Sequence, residues 1–332
     1  MSETRISIPN VLSEDRVLAF ANELNALPLQ EECVVDLSAM GRIEPFGMLV
    51  CSSILRKFVR VQKEFGATFS AVGHTENSYA AHMGFYQAFG LDHGKKPGEA
   101  RGGQNYLPIT RLSVNALHQA AGYRPVGESV EKEAARISQV LLQKTDGPAV
   151  SRVKYALTEI MRNVVEHSRA DEIWYAGQCW PNLDCVEVAI LDEGVGVRAS
   201  LGRNPKYRMN SDDDALRSAI RKGVSGAVVA ADAGRAADSD DPWTNAGYGL
   251  FVVSNLCRTA GTFSIMSGNA CLSMKADEIT ITRTNFVGTA VRMKLDTAQP
   301  DQIDDAIRKV IPDEGASRRG KSRLPGGGAH PT

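Results

Sequence analysis

The stretch Ala189-Ile190-Leu191-Asp192-Glu193-Gly194-Val195-Gly196-Val197 decides how this chain is read. An apolar run beginning at Cys185 closes on an aspartate, and two glycines follow at alternate positions. The run predicts a buried strand, Cys185 to Leu191, with Asp192 at its end. A carboxylate in that place can accept a hydrogen bond from an exocyclic amine such as that of adenine. Glycines beside it let the backbone approach a flat ring closely. Taken alone, the pattern equally describes an ordinary strand-ending turn.

Upstream, a second strand is expected over Glu172 to Gln178, preceded by a helix from Pro148 to Ser168. That helix holds Glu159, Asn163 and His167 at i, i+4 and i+8, along one side, while Val153, Leu157, Ile160 and Val164 form an apolar face. A carboxylate can activate water or a hydroxyl, an amide oxygen can hold Mg²⁺, and an imidazole can meet a phosphate. The ordinary alternative is a solvated helix face. Downstream, Asn245-Ala246-Gly247-Tyr248-Gly249-Leu250 opens a helix running to Thr259. Backbone N–H groups at a helix start attract anions, and a glycine hinge before a core helix is the plain reading. Last comes Gly288-Thr289, entering a strand that ends at Leu295, where a hydroxyl can bond a base or a water.

In this order the four segments resemble the nucleotide site of the GHKL ATPase superfamily, which groups gyrase, a heat-shock chaperone, histidine kinases and mismatch-repair ATPases. The resemblance spans about Val150 to Asp296. It implies a Bergerat-type α/β sandwich, a mixed sheet covered by helices, with ATP and Mg²⁺ as cofactors. By the same resemblance Asn163 coordinates Mg²⁺, Asp192 reads adenine, Glu159 is the catalytic base and His167 lies near the phosphates. Gly194 and Gly196 belong to the base-binding turn, Gly247, Gly249 and Leu250 to the phosphate-side turn, and Thr289 to the closing strand. Residues 197–246 become the ATP lid. No G-x-x-x-x-G-K-[ST] loop occurs, which agrees with this fold rather than a P-loop NTPase.

Composition narrows the class. The 332 residues carry 38 Lys+Arg against 39 Asp+Glu, so the electrostatic signature of a nucleic-acid or polybasic membrane binder is missing. No apolar run reaches the ~18–20 residues that span a bilayer. Met1 to Asn10 lacks a signal-peptide apolar core, and a cytoplasmic protein is expected. The six cysteines form no C-x-x-C pair and sit mostly in apolar runs, which predicts buried thiols and excludes a thiolate metal site.

The length predicts about two domains, each large enough to close its own core. Residues 1–100 read as a small α/β unit, with strands over Glu32–Ser38 and Ala67–Val72 and helices over Phe46–Phe65 and Asn77–Phe89. Within it, the segment from Val34 to Gly47 followed by a helix resembles the STAS (anti-anti-sigma) domain, with Glu44-Pro45-Phe46-Gly47 on the segment that carries the phosphorylated hydroxyl there. Phe46 replaces that hydroxyl, so a docking or dimerising module is expected; Ser52 and Ser53 lie one or two turns further on. Residues 101–147 are read as a linker with a connecting helix (Ser129 to Gln143), 148–297 as the ATP-binding domain, and 298–332 as a C-terminal helix and disordered tail.

The resemblances together imply an ATP-binding regulatory protein: a Mg-ATP-dependent Ser/Thr protein kinase of the anti-sigma type, or a slow ATPase, acting on a protein partner. A STAS-type protein is the candidate target, and a homodimer is expected. The alternative is a nucleotide-gated binding module whose lid switches partner binding without obligatory catalysis. Histidine autophosphorylation is disfavoured, because His118 lacks the acidic neighbour and downstream proline of the usual acceptor.

Overall fold

In the computed structural model the described residues are 3–121, 127–225, 248–298 and 300–310; within these, the side chains at 3, 118, 120, 121, 127, 166, 167 and 300 are not described. The first hundred residues give β1 (Glu3–Ser7), β2 (Val11–Leu12), α1 (Glu14–Ala26), β3 (Glu32–Asp36), β4 (Arg42–Ile43), α2 (Pro45–Glu64), β5 (Thr68–Val72), α3 (Ser78–Met83) and α4 (Phe85–Ala88). β1, β3 and β5 form a parallel sheet, and β2 pairs with β4. Pro45 starts α2, where its missing N–H costs nothing. Gly84, at φ +84°, splits the helix expected over Asn77–Phe89 into α3 and α4. Neither β1 nor α1 was anticipated from the sequence pattern.

The chain continues through β6 (Tyr106–Ser113), α5 (Val114–Ala121), α6 (Gly127–Leu142), α7 (Pro148–Asn163), β7 (Glu172–Trp180), β8 (Cys185–Asp192), α8 (Gly196–Leu201), α9 (Asp212–Ala219), α10 (Gly249–Ala260), β9 (Gly261–Lys275), β10 (Glu278–Asp296) and α11 (Pro300–Val310). The second sheet has the order β6-β7-β8-β10-β9, and every neighbouring pair is antiparallel. The mixed sheet expected for this half is therefore corrected. Hairpins join β7 to β8 and β9 to β10, and the helical connections bring β6 and β10 in antiparallel to their neighbours as well. The strand expected to begin near Thr289 and end at Leu295 is the second part of one longer strand, β10, with register shifts between Arg283 and Thr289. Residues 101–147 do more than link: β6 is an edge strand of this sheet, and α6 packs on α7.

Period-two alternation sends neighbouring side chains to opposite faces of the second sheet. Val186, Val188 and Ile190 of β8, with Val291 and Met293 of β10, face a core shared with α6, α7, α10 and α11. Trp174, Ala176, Ala189, Leu191 and Ala290 face the other way and join the core of the first hundred residues. Those residues thus do not close a core of their own. Pro45 to Leu55 of α2 are buried without a break, and α2 lies against β7, β8 and β10. A helix buried on every side has apolar surface to satisfy on every side. The six cysteines are free thiols, five of them buried.

One polar cluster crosses this second core. Arg292 of β10, its side chain 9% exposed, contacts Glu187 of β8 at 2.9 Å and Glu14 of α1 at 2.7 Å, with Glu44 at 3.6 Å. Glu187 has no exposed side-chain surface; its other oxygen accepts the Phe46 N–H at the start of α2, at 3.0 Å. Burial pushes the Glu187 carboxyl up, and Arg292 pulls it back. Breaking such a cluster from one side strands a buried charge, at a cost of about 3–5 kcal/mol. Arg292→Met is expected to lower urea-unfolding stability by that order, and adding Glu187→Gln is expected to recover part of it.

Candidate functional site

β8 and β10 meet with Asp192 opposite Thr289. The Asp192 side chain points to the helix-covered face, is 3% exposed, and accepts a hydrogen bond from the Gly194 N–H at 2.8 Å, with Thr289 directly opposite. Burial pushes its pKa up to about 6, although Gly194 and Thr289 act in the opposite direction. The two glycines are expected to let the backbone approach a ligand. Packing within the chain requires them as well. A side chain on Gly194 would stand 2.2 Å from the Ser168 carbonyl oxygen, and one on Gly196, whose φ is +79°, 2.7 Å from the Ser267 hydroxyl.

Ser267 escaped the sequence reading. Its hydroxyl accepts the Val197 N–H at 3.0 Å and donates to the Gly288 carbonyl at 2.7 Å, so it fastens the turn after β8 to the entry of Thr289. A serine in mid-strand carries no local signal of such a role.

α7 ends at Asn163, and a π-helical turn, Val164–Ser168, follows. The expected i, i+4, i+8 row is broken there, because a π turn takes more residues per revolution than an α turn. Glu159 and Asn163 remain on α7; the side chain of His167 lies outside the described residues. The turn is tied to the aspartate loop by the Val195 N–H, which donates to the Ser168 carbonyl at 2.7 Å.

Asn163, Asp192, Gly196, Leu250 and Thr289 converge on one cavity, walled by apolar Ile160, Ile190, Val197, Leu201 and Val291. Gly194 stands behind this wall, against Ser168. Gly249, the first residue of α10, sits so close to α7 that a side chain on it would lie 2.9 Å from the Glu159 Cβ. Glu159 is thereby beside the cavity rather than in its lining, and its carboxylate pairs with Arg162 at 3.2 Å. Gly247 lies outside the described residues. Among the described residues no group of three or more His, Cys, Asp and Glu side chains could hold a metal ion.

The lid expected over 197–246 is partly corrected. Val197, Leu201, Ala215, Leu216 and Ala219 of α8 and α9 belong to the helix-side core, so residues 197–225 are a wall of the cavity. Residues 226–246, Trp243 among them, lie outside the described residues. The C-terminal helix expected after residue 298 is α11, docked through Ile303, Ala306 and Ile307 and by Lys144 on Asp304 at 2.7 Å. Among the described residues no helix is long and apolar enough to cross a membrane.

No protein-family model matches this chain, and no curated protein matches it.

The raised Asp192 pKa has a definite sign. A carboxyl with pKa about 6 when folded and about 3.8 when unfolded stabilises the fold at low pH, where it is protonated in both states. That contribution is lost as pH rises from about 4 through about 6, up to ~3 kcal/mol for a shift of about two units. Asp192→Asn keeps an acceptor for Gly194 without the charge. The variant is expected to match the wild type near pH 4 and exceed it by that order at pH 7, read by urea denaturation across the range.

Proposed function

We propose that this cavity binds Mg-ATP and that the chain is a regulatory protein of the GHKL class, a protein kinase of the anti-sigma type or a slow ATPase acting on a protein partner. The observation that carries the proposal is the convergence of Asn163, Asp192, Gly196, Leu250 and Thr289, from four separated segments, on one cavity with a buried carboxylate. The residues present fit the nucleotide. Asp192 offers an ionisable acceptor to an exocyclic amine, and Thr289 beside it offers a hydroxyl. The apolar walls suit a purine ring. Asn163 offers an amide oxygen to Mg²⁺, and the start of α10, at Gly249 and Leu250, offers backbone N–H groups to phosphates. When bound, ATP supplies a transferable phosphoryl group, and the metal neutralises its charge. The chain's own part is to orient the base, exclude water from it and hold Glu159 near the phosphate end.

The STAS-like segment supports the anti-sigma relationship, since kinases of that type act on STAS proteins. In this chain Phe46, at the position of the family's acceptor hydroxyl, is 1% exposed and its N–H is committed to Glu187. The target is then a separate protein rather than this segment. A specific observation favours the second reading, a nucleotide-gated binding module: the carboxylate of Glu159, the candidate base, is engaged by Arg162.

Calorimetric titration with ATP, ADP and GTP, with and without Mg²⁺, tests the site. Adenine nucleotides are expected to bind and GTP is not. Affinity is expected to fall as pH drops below about 6, where Asp192 takes up a proton and becomes a neutral, weaker acceptor. Asp192→Asn should bind at least about tenfold more weakly, the worth of one charge-assisted hydrogen bond. Binding confined to GTP, or none, rejects the proposal. Glu159→Gln then separates the readings: it retains nucleotide in both, loses phosphoryl transfer or phosphate release if the chain is an enzyme, and leaves partner control intact if it is a gated module.

A further inference from the structure

Immediately after Asp192 stands a second carboxylate to which the nucleotide reading gives no task. Asp192 faces the cavity, whereas the side chain of Glu193 meets the first hundred residues. One oxygen of Glu193 accepts from the Ser53 hydroxyl at 2.5 Å and from the Arg56 guanidinium at 2.5 Å, both on α2. Ser53 is 4% exposed, in the stretch of α2 that is buried without a break. Arg56 is itself held from two further sides. Its guanidinium lies 4.3 Å over the Trp174 ring of β7, and it donates to the Ala88 carbonyl at the end of α4. Glu193 is closed in from behind too, since a side chain on Gly288 would stand 2.7 Å from its Cα. The residue on one side of Glu193 is Asp192, and the residue on the other is Gly194, whose N–H orients the Asp192 carboxylate.

We propose that Glu193 is a positioning residue, gripped by Ser53 and Arg56, that sets the Asp192–Gly194 turn in the geometry that receives the base. Nucleotide affinity and the seating of α2 are then linked, and by reciprocity bound nucleotide tightens the grip on α2. Anything that levers α2 away from Glu193 weakens nucleotide binding by the same factor. The inference rests on the nucleotide reading above. Arg56 and Glu193 are both part-exposed, at 27% and 38% of their side chains, so the pair adds little to global stability. Its signature belongs in binding rather than in melting temperature.

The full-length chain tests this with Arg56→Ala, Ser53→Ala, Glu193→Gln and the Arg56→Ala/Glu193→Gln double variant. ADP affinity is read by calorimetry, and backbone amide exchange across α2 is followed with and without ADP. Each single variant is expected to bind ADP about fivefold or more weakly with little change in melting temperature. The double variant should be no worse than the weaker single one, and Arg56→Lys should recover part of the loss. ADP should slow exchange across α2 in the wild type but not in Glu193→Gln. Wild-type ADP affinity in both Arg56→Ala and Glu193→Gln overturns the grip and leaves the nucleotide reading standing. Failure of the wild type to bind ADP overturns both. If the variants unfold, exchange in the wild type alone decides, and no slowing across α2 on ADP binding overturns the inference.

Discussion

Arg292 is the charge around which the molecule is arranged. It lies on β10, an interior strand of a sheet covered on both faces, beside a glutamate with no exposed side-chain surface. A guanidinium and a carboxylate cannot be left in such a place with unspent hydrogen-bonding capacity. The remaining capacity is met by Glu14, Glu44 and the Phe46 N–H, all from the first hundred residues. The same residues that cover the apolar outer face therefore complete its polar centre. This explains why α2 can be buried all round while starting on an ion cluster: its first N–H, that of Phe46, which no helix satisfies internally, has a carboxylate to meet.

β8 is the element both halves share. Its residues alternate between the outer core and the helix-covered face, and the alternation ends at Asp192 and Glu193, one carboxylate for each side. Asp192 is costly to keep ionised, because its burial is only partly offset by its hydrogen bonds. Glu193 is matched by two donors already present. A strand two residues wide in its repeat thus addresses the cavity with one face and the first hundred residues with the other.

What the sequence made legible was local. The apolar run into Asp192, the helix carrying Glu159 and Asn163, and the long helix beginning at Pro45 were all readable, because periodicity and turn residues lie within a few positions of one another. Partners far away in the chain were not. Glu187 looked unexceptional inside an apolar run, since its counter-charge lies 105 residues further on. The strand directions of the second sheet depend on which strands become neighbours, and an expected family pattern gave the wrong answer there. The π turn after Asn163 is a shift in hydrogen bonding with no residue that announces it. Ser267 shows the same limit at the site itself: one hydroxyl clasps two loops that the chain separates widely.

The span between Glu14 and Arg292, 278 residues, also bears on synthesis. A ribosome releases α1 and α2 long before the strand that completes their surroundings exists. Until β7 and β8 emerge, the sheet-facing side of α2 has only water or a chaperone against it, and until β10 follows, Glu44 has no buried counter-ion. The nascent chain must therefore delay committing its early helices, and the amino-terminal hundred residues, released as a truncated product, would be a substrate for quality control. Late residues license early ones here, which makes translation to the end of β10 the checkpoint for the whole fold.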